Sequence, residues 1–263
     1  MREQLKSVHN QHVKNWKKLA TKKFRRQTNR YLLDGWHLVN EALHNGAQVE
    51  QLIGTAAELD KHSDIVSLVD EVYEVTPEII KHITETVSPQ GICAVAELPA
   101  TYGIPSEING AWLMLDSVQD PGNVGTMVRT ADAAGFAGVV VNEKTADIFS
   151  PKVVRSMQGS QFHLRLFNGD LKKWIGDFNK IKAPVYGTEL NPQARNFREV
   201  QTPETFALIM GNEGNGMDKD LLELTDQNLY IPMRGRAESL NVAVSAGILM
   251  FELNKEGGQG QQG

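Results

Sequence analysis

The segment that begins at Leu115 carries side chains suited to chemistry on a phosphorylated substrate. It reads LDSVQDPGNVGTMVRTADAAGF and leads from a short apolar strand, 112–115, through a polar loop into a predicted helix, 124–134. Asn123 stands at the start of that helix, and Arg129 lies in its second turn. A helix start with an arginine close to it is suited to bind phosphate. The same pattern also fits a plain strand-to-helix turn that is capped by Asn123 and leaves Arg129 solvated.

A second candidate is the glycine-rich loop 211–216, which reads GNEGNG and follows a predicted strand at 206–210. Glycines allow backbone to approach a ligand closely and to adopt positive φ. The order GxxGxG differs from the dinucleotide-binding GxGxxG, and the apolar Ile231 occupies the place where a ribose-binding acid would be sought. No GK[ST] follows, which also argues against a nucleotide-binding P-loop.

The third candidate is the segment 229–253, which combines a predicted strand at 229–232, a charged loop at 233–238 and a helix at 239–253. Ser239 is the expected cap of that helix. One face of the helix is apolar, and its members are Leu240, Val244, Gly247 or Ile248, and Phe251. Glycine-rich loops and capped helices are common, so each of the three segments alone is weak evidence.

In this order and spacing, the three segments resemble the motifs of the SpoU/TrmH family, the RNA ribose 2'-O-methyltransferases of the SPOUT superfamily. The matching patterns are N-x-G-x-x-x-R-T at 123–130, G-N-E-G-x-G at 211–216 and I-P-M…S-L-N-V at 231–242. The third motif departs from the family at Ala243, where a second serine often stands. The segment 31–43, which contains Gly35 and the Glu41-Ala-Leu triplet, resembles the small substrate-binding domain that often precedes the catalytic one.

The resemblance implies a cofactor, S-adenosylmethionine, held bent within a deep trefoil knot, and a site completed across a homodimer. It places Gly211, Ile231 and Leu240 at the cofactor, mainly through their backbone atoms, and implies a catalytic group of Arg129, Asn123, Glu213, Ser239 and Asn241.

The family assigns Arg129 the role of taking the proton of the ribose hydroxyl. Because a guanidinium stays protonated in proteins, we expect it instead to bind the neighbouring phosphate or the developing alkoxide. We expect Asn123 to orient Arg129 or the ribose, and Glu213 to hold Arg129 in a charge-assisted pair.

The pattern of elements predicts an α/β protein with two domains. A small α/β substrate-binding domain is expected at 1–98, a linker rich in proline and glycine at 99–109, a parallel-sheet methyltransferase domain at 110–255 and a disordered tail at 256–263. Helix and strand alternate in both halves. In the first half a helix is expected at 61–69.

Charge is distributed unevenly along the chain. The formal net charge is −5, but residues 2–30 contain ten Lys or Arg and one acid, Glu3. This segment favours contact with RNA phosphates over a merely solvated face. We expect it to be exposed, notably at Lys22, Lys23, Arg25 and Arg26.

The remaining composition argues against other protein classes. No run of about 18 apolar residues exists, the first residues lack an apolar signal core, and Cys93 is the single cysteine. We therefore expect a cytoplasmic protein with no membrane partner, no disulfide and no multi-cysteine metal site. Ribosomal RNA is the expected substrate because a substrate domain precedes the catalytic one. The alternatives are a tRNA methyltransferase, a noncatalytic RNA-binding protein that keeps the knot and, more distantly, a nucleotide-dependent oxidoreductase.

Overall fold

The computed structural model describes residues 2–101 and 103–255. By their contacts these residues divide into two compact units: Met1–Pro99 with Asp147–Phe162, and Ala100–Ala146 with His163–Gly263. The segment Asp147–Phe162 therefore packs with the N-terminal residues although it lies far along the sequence. The tail expected at 256–263 lies outside the described residues, and the expected domain boundaries remain a proposal.

The first unit is built on a five-stranded mixed sheet in the order β1-β4-β3-β5-β2. Strand β5 runs antiparallel to both of its neighbours, whereas β4 runs parallel to β1 and β3. The strands are β1 (Arg2–Leu5), β2 (Arg30–Asp34), β3 (Val49–Gly54), β4 (Glu71–Val75) and β5 (Ile92–Glu97). The helices are α1 (Gln11–Lys18), α2 (Lys22–Thr28), α3 (Trp36–His44), α4 (Ala56–Lys61), α5 (Ser63–Val66), α6 (Pro77–Thr84) and α8 (Pro151–Met157).

The basic N-terminal segment is part of the folded core of this unit. Val13, Trp16 and Leu19 are buried in one apolar cluster with residues of the sheet and of α6. Trp16 also donates a hydrogen bond from Nε1 to Gln51, at 2.8 Å. The single helix expected at 61–69 is wrong. The chain forms two shorter helices instead, α4 and α5, which are separated by His62, and α5 ends before Val69.

The second unit carries a seven-stranded sheet in the order β10-β12-β9-β11-β6-β7-β8, and every pairing in it is parallel. The strands are β6 (Ala111–Leu115), β7 (Gly138–Val141), β8 (Arg165–Asn168), β9 (Val185–Thr188), β10 (Arg195–Asn196), β11 (Phe206–Met210) and β12 (Gln227–Tyr230). The helices are α7 (Pro121–Ala133), α9 (Leu171–Lys180), α10 (Lys219–Leu222) and α11 (Val242–Leu253). The α/β class and the parallel C-terminal sheet are as the sequence predicts.

Strands β6 and β11 are neighbours in the middle of this sheet, with Leu115 paired to Met210 at their carboxyl ends. In an open parallel sheet, ligands bind in the crevice outside the carboxyl ends of the strands. The pairing therefore places the loop after Leu115 and the loop after Met210 side by side at the carboxyl ends of the strands. These are the two polar loops of the sequence.

Two of the expected helix caps are wrong. Asp120, not Asn123, caps α7, since its side chain accepts the Asn123 N–H at 2.9 Å and Pro121 follows at the first helical position. Asn241, not Ser239, caps α11 by accepting the N–H groups of Ala243 and Val244. Aspartate and asparagine cap at least as well as serine, so composition alone could not choose between neighbouring candidates.

Candidate functional site

The two polar loops are joined by hydrogen bonds. The Asn212 amide donates to the Ser117 carbonyl at 2.8 Å, and the Asp218 N–H donates to the Asp116 carboxylate at 2.7 Å. Asp116 is buried and also accepts from the Asn142 amide at 2.8 Å. Sequence reasoning missed this aspartate, because nothing local distinguishes a buried acceptor from a turn residue.

Glu213 lies at the centre of the junction. Its carboxylate accepts the N–H of Asp120 at 2.9 Å, the N–H of Gln119 at 3.1 Å and the amide of Asn123 at 3.2 Å. Partial burial alone would raise the pKa of Glu213, but these hydrogen bonds together outweigh it and hold the pKa below its ordinary value. Glu213 is thus kept ionised as an acceptor that fixes the start of α7.

Asn123 connects this junction to the third motif. Its amide nitrogen donates to Glu213, and its amide oxygen accepts from the Asn241 side chain at 3.0 Å. Asn241 in turn caps α11. Three residues from three distant motifs therefore form one chain of hydrogen bonds, and this chain fixes the starts of α7 and α11 together.

Arg129 does not belong to this chain of hydrogen bonds. It is exposed on α7, and within the described residues it forms no ion pair or side-chain hydrogen bond. The expected pair with Glu213 is wrong, because the carboxylate faces backbone N–H groups and Asn123 instead. Arg129 lies six positions after Asn123, which places the two side chains about 120° apart around α7. Asn123 therefore does not orient Arg129.

Beside the junction lies a cleft of about 400 Å³ within the second unit. It brings together Gly211, Ile231 and Leu240, the three residues expected at the cofactor, and also Glu213 and Ser239. Asn123, Arg129 and Asn241 are not among its lining residues. Pockets for cofactors and drug-sized ligands range from about 300 to 1,000 Å³ and are mainly apolar. The volume and the apolar side chains suit an adenosine-containing cofactor.

Gly211 is required by the loop itself. A Cβ at this position would lie 2.3 Å from the Gly216 carbonyl carbon and from the Met217 nitrogen. The loop closes there through two backbone hydrogen bonds between Asn212 and Gly216, at 2.9 and 3.0 Å. The positive φ that glycine allows occurs in this loop at Gly216, where φ is 70°, and not at Gly211.

The charge of the cleft also suits its expected ligand. Three carboxylates line it, those of Glu189, Glu213 and Glu238, and the described lining contains no lysine or arginine. S-adenosylmethionine carries a sulfonium, an ammonium and a carboxylate group and is therefore positive overall, so a cleft of this charge attracts it. The residues present therefore fit that cofactor in volume, polarity and sign of charge.

Comparison with known proteins decides the family. Residues 110–251 match the SpoU rRNA methylase family, and residues 10–94 match the MRM3-like substrate-binding domain. The chain belongs to the SpoU rRNA methylase family. The rRNA 2'-O-methyltransferase activity and the S-adenosylmethionine cofactor expected from the sequence are confirmed.

Three relatives illustrate the match. The chain is 44% identical to the 23S rRNA (guanosine(2553)-2'-O)-methyltransferase RlmP of Bacillus subtilis, over 95% of this chain and 98% of that protein. It is 31% identical to the AdoMet-bound rRNA methyltransferase of Sinorhizobium meliloti, with a TM-score of 0.83 over 95% of this chain and 97% of that one. The AdoMet complex of the SpoU methyltransferase AviRb from Streptomyces viridochromogenes gives 26% identity and a TM-score of 0.86, over 96% and 100%.

The unit that contains the substrate-binding match carries the basic surface. Lys14, Lys18, Lys22 and Lys23 are exposed on α1 and α2, and no ion pair within the described residues involves them. Arg25, expected to be exposed, is instead 2% exposed. It donates to the carbonyls of Leu19 and Ala20 and pairs with Asp147 at 2.5 Å. Arg26, also expected to be exposed, is exposed on α2, so the basic surface contains these four lysines and Arg26, whereas Arg25 is structural.

Within the described residues, no helix has the length and apolar character needed to span a membrane.

Proposed function

We propose that this chain methylates the ribose 2'-hydroxyl of one guanosine in large-subunit ribosomal RNA, the counterpart of the nucleotide named for the Bacillus subtilis relative. The likeness to that relative extends over both of its halves, including the substrate-binding match. The observation that carries the catalytic part is the hydrogen-bonded chain Glu213–Asn123–Asn241, which adjoins a cleft of cofactor size and charge.

S-adenosylmethionine supplies an activated methyl group when it is bound. The chain must therefore hold the cofactor, position the ribose and stabilise the alkoxide that forms as the hydroxyl loses its proton. We assign the cofactor contacts to Gly211, Ile231 and Leu240, the three predicted residues that meet in the cleft.

We assign Arg129 to the RNA rather than to another protein group. It is exposed, and no carboxylate in the described chain neutralises it. A permanently protonated guanidinium stabilises a phosphate or a developing alkoxide at any physiological pH, whereas it is a poor base. Ser239, exposed at the rim of the cleft, completes the polar group.

Asn123, Glu213 and Asn241 act as positioning residues in this proposal. Their side-chain groups already bond to one another and to helix and loop N–H groups. They fix the start of α7, which carries Arg129, relative to the loop that walls the cleft. Preorganisation of this kind lowers the barrier because little rearrangement is left for the reaction itself.

We also propose that the chain acts as a homodimer through its second unit. Val244, Ile248 and Phe251 form a stripe on α11 at i, i+4 and i+7, and they are 51%, 37% and 57% exposed. The opposite side of the helix, with Ala246, Leu249 and Met250, is buried. A helix that is apolar on its exposed side is the expected signature of an interface between two copies.

The rRNA substrate favours a cytoplasmic location, where bacterial ribosomes are assembled, and this location is part of the proposal. The trefoil knot implied by the family resemblance is retained as a prediction in the same way.

The direct test is methylation by the purified chain. Unmodified transcripts of large-subunit rRNA and of tRNA are incubated with radiolabelled S-adenosylmethionine, and the modified nucleotide is mapped by ribose-methylation sequencing. We expect label in a single rRNA guanosine. Methylation of tRNA alone supports the tRNA alternative. Cofactor binding by calorimetry without methylation of either RNA supports a noncatalytic RNA-binding protein.

A further inference from the structure

The loop 233–238 carries two arginines that the proposed chemistry has not used. Met233 and Glu238, its two ends, line the cleft, and Ile231, Ser239 and Leu240 line it on either side of the loop. Arg234 and Arg236 lie between these ends and are both exposed. Among the described residues neither has an ion pair or a side-chain hydrogen bond. The loop therefore carries two unpaired cations, and both of its ends line the cleft.

Because the cleft is acidic, a polyanionic substrate needs cations such as these arginines beside it. The carboxylates of Glu189, Glu213 and Glu238 suit a cationic cofactor, but they repel RNA, which carries one negative charge per nucleotide. RNA must nevertheless bring one ribose to the bound methyl donor. Cations beside the cleft, rather than within it, can bind the phosphates without neutralising the carboxylates.

The side-chain type and the spacing fit this task. A guanidinium binds phosphate oxygens with two parallel N–H donors and stays charged at all physiological pH values. Gly235 stands between the two arginines. Because the loop has no regular secondary structure, both guanidinium groups can turn to follow an RNA backbone.

We propose that Arg234 and Arg236 bind the phosphodiester groups next to the target ribose and so hold the RNA at the cofactor cleft. This inference rests on the proposed function, since it requires an RNA substrate. It goes beyond that function by assigning a phosphate-binding site to a loop outside the catalytic group, and it makes both arginines positioning residues for the RNA.

The test compares three double variants with the wild-type chain. R234Q/R236Q removes both charges, and R234K/R236K keeps the charges without the two-pronged guanidinium. K173Q/K182Q is the charge-matched control, because Lys173 and Lys182 are exposed in the same unit, have no ion pair within the described residues and do not line the cleft. Filter binding of the rRNA transcript is measured across a salt series, and S-adenosylmethionine binding is measured by calorimetry.

We expect R234Q/R236Q to lower RNA affinity at least tenfold at low salt and to raise KM for RNA, with cofactor affinity within twofold of wild type. The slope of log affinity against log salt should fall by about 1.5, since each lost phosphate contact removes roughly 0.7 to 0.9. R234K/R236K should recover most of the slope, and K173Q/K182Q should behave as wild type.

Three results overturn the inference: a wild-type slope and affinity in R234Q/R236Q, an equal loss in K173Q/K182Q, or a loss of cofactor affinity as large as the loss of RNA affinity. Failure of the proposed function is distinguishable from these, because it is seen in the wild-type chain as methylation of tRNA instead of rRNA. In that case the same variants are compared on the tRNA transcript.

Discussion

Asn123 joins the three sequence motifs through a single amide group. It donates to Glu213 and accepts from Asn241, while its own N–H is bound by Asp120. Arg129, on the same helix, is left free of protein partners in the described chain. The structure thus separates residues that hold the loops together from an exposed arginine that we propose contacts the RNA, and the two groups should respond differently to substitution.

Arg129→Ala should reduce methyl transfer to background while S-adenosylmethionine affinity stays within a few-fold of wild type. The arginine does not line the cleft and forms no ion pair within the described residues, so its loss removes a charge but no support. Turnover with saturating rRNA and calorimetric titration of the cofactor measure the two effects. Arg129→Lys keeps the charge and serves as the control. Near-wild-type turnover of the alanine variant would remove Arg129 from the catalytic group.

Gly211→Val should weaken cofactor binding far more than Glu213→Gln does. The valine Cβ would have to occupy a position 2.3 Å from backbone atoms of Gly216 and Met217, so the loop that walls the cleft must open. Glutamine at 213 keeps the size of the side chain and one acceptor oxygen for the N–H groups of Gln119 and Asp120. Calorimetry on both variants decides, and equal losses would contradict the assignment of this loop to the cofactor.

At the scale of elements, regular apolar patterns were predictable and the choice of hydrogen-bond partners was not. The strand Phe206–Met210 has the bounds that the sequence predicts, because an apolar run is a local signal. The caps of α7 and α11 were missed, because several adjacent side chains could cap and only packing selects one. The partners of Glu213 in the loop after Leu115 and at the start of α7 are residues 90 or more positions away in the sequence.

Arg25 shows that the sequence alone also does not indicate which charged side chains are buried. Lys22, Lys23 and Arg25 have similar sequence surroundings, yet only the arginine points inward. Its guanidinium donates hydrogen bonds to two carbonyls at the end of α1 and forms an ion pair with the Asp147 carboxylate before α8. The ion pair between Arg25 and Asp147 therefore links the segment that leads into α8 to the N-terminal helices of the first unit.

Arg25→Gln should destabilise the first unit by roughly 1.5 to 3 kcal/mol, since it removes the charge-assisted hydrogen bonds to two backbone carbonyls and the ion pair with Asp147. Lys22→Gln, on the same helix but exposed, should change stability by less than about 0.5 kcal/mol. Chemical denaturation followed by circular dichroism gives both free energies of unfolding. A wild-type midpoint for Arg25→Gln would show that Asp147 finds another partner or is adequately solvated.

The packing of α11 determines what the whole molecule presents to a second copy. Helices α7 and α11 lie side by side, with Asn241 bonded to Asn123 at their starts and Asn254 bonded to the Ala134 carbonyl at their ends. The apolar face predicted from the sequence is present at Val244, Ile248 and Phe251, and it faces outward. The expected place of Leu240 on the same face is wrong, because α11 begins only at Val242 and Leu240 lines the cleft. Sequence periodicity identifies such a stripe without showing whether the chain's own core or a partner covers it.

Ile248→Ser with Phe251→Ser should convert a dimer into a monomer without unfolding the chain, because both residues are exposed. Sedimentation equilibrium measures the mass, and circular dichroism checks the fold. Leu68→Ser is the matched control, since Leu68 is also exposed and apolar but belongs to the first unit. A monomeric wild-type chain at micromolar concentration, or a double variant that remains dimeric, would contradict the proposed interface.

The last prediction concerns the basic surface of the first unit. Deleting residues 2–30 cannot test it, because this segment supplies strand β1 and the buried Val13, Trp16 and Leu19. Replacing Lys14, Lys18, Lys22 and Lys23 with glutamine removes the exposed charge and leaves the core side chains intact. If these lysines contact RNA phosphates, the quadruple variant should bind the rRNA transcript less tightly at low salt. Its salt slope should fall by roughly 0.7 to 0.9 for each lost contact.

The acidic average of the chain makes this measurement informative. With a formal net charge of −5, the chain as a whole repels RNA, so a lost phosphate contact is not compensated by a general attraction. Filter binding across salt concentrations gives the slope, and calorimetry should show unchanged S-adenosylmethionine affinity. Lys61→Gln with Lys81→Gln, two lysines elsewhere in the same unit, controls for the loss of half as much charge, and Lys22→Gln with Lys23→Gln is the variant matched to it. A wild-type slope in the quadruple variant would mean that the basic surface is only solvated and that RNA binding depends on other groups, with the arginines beside the cofactor cleft as the first to consider.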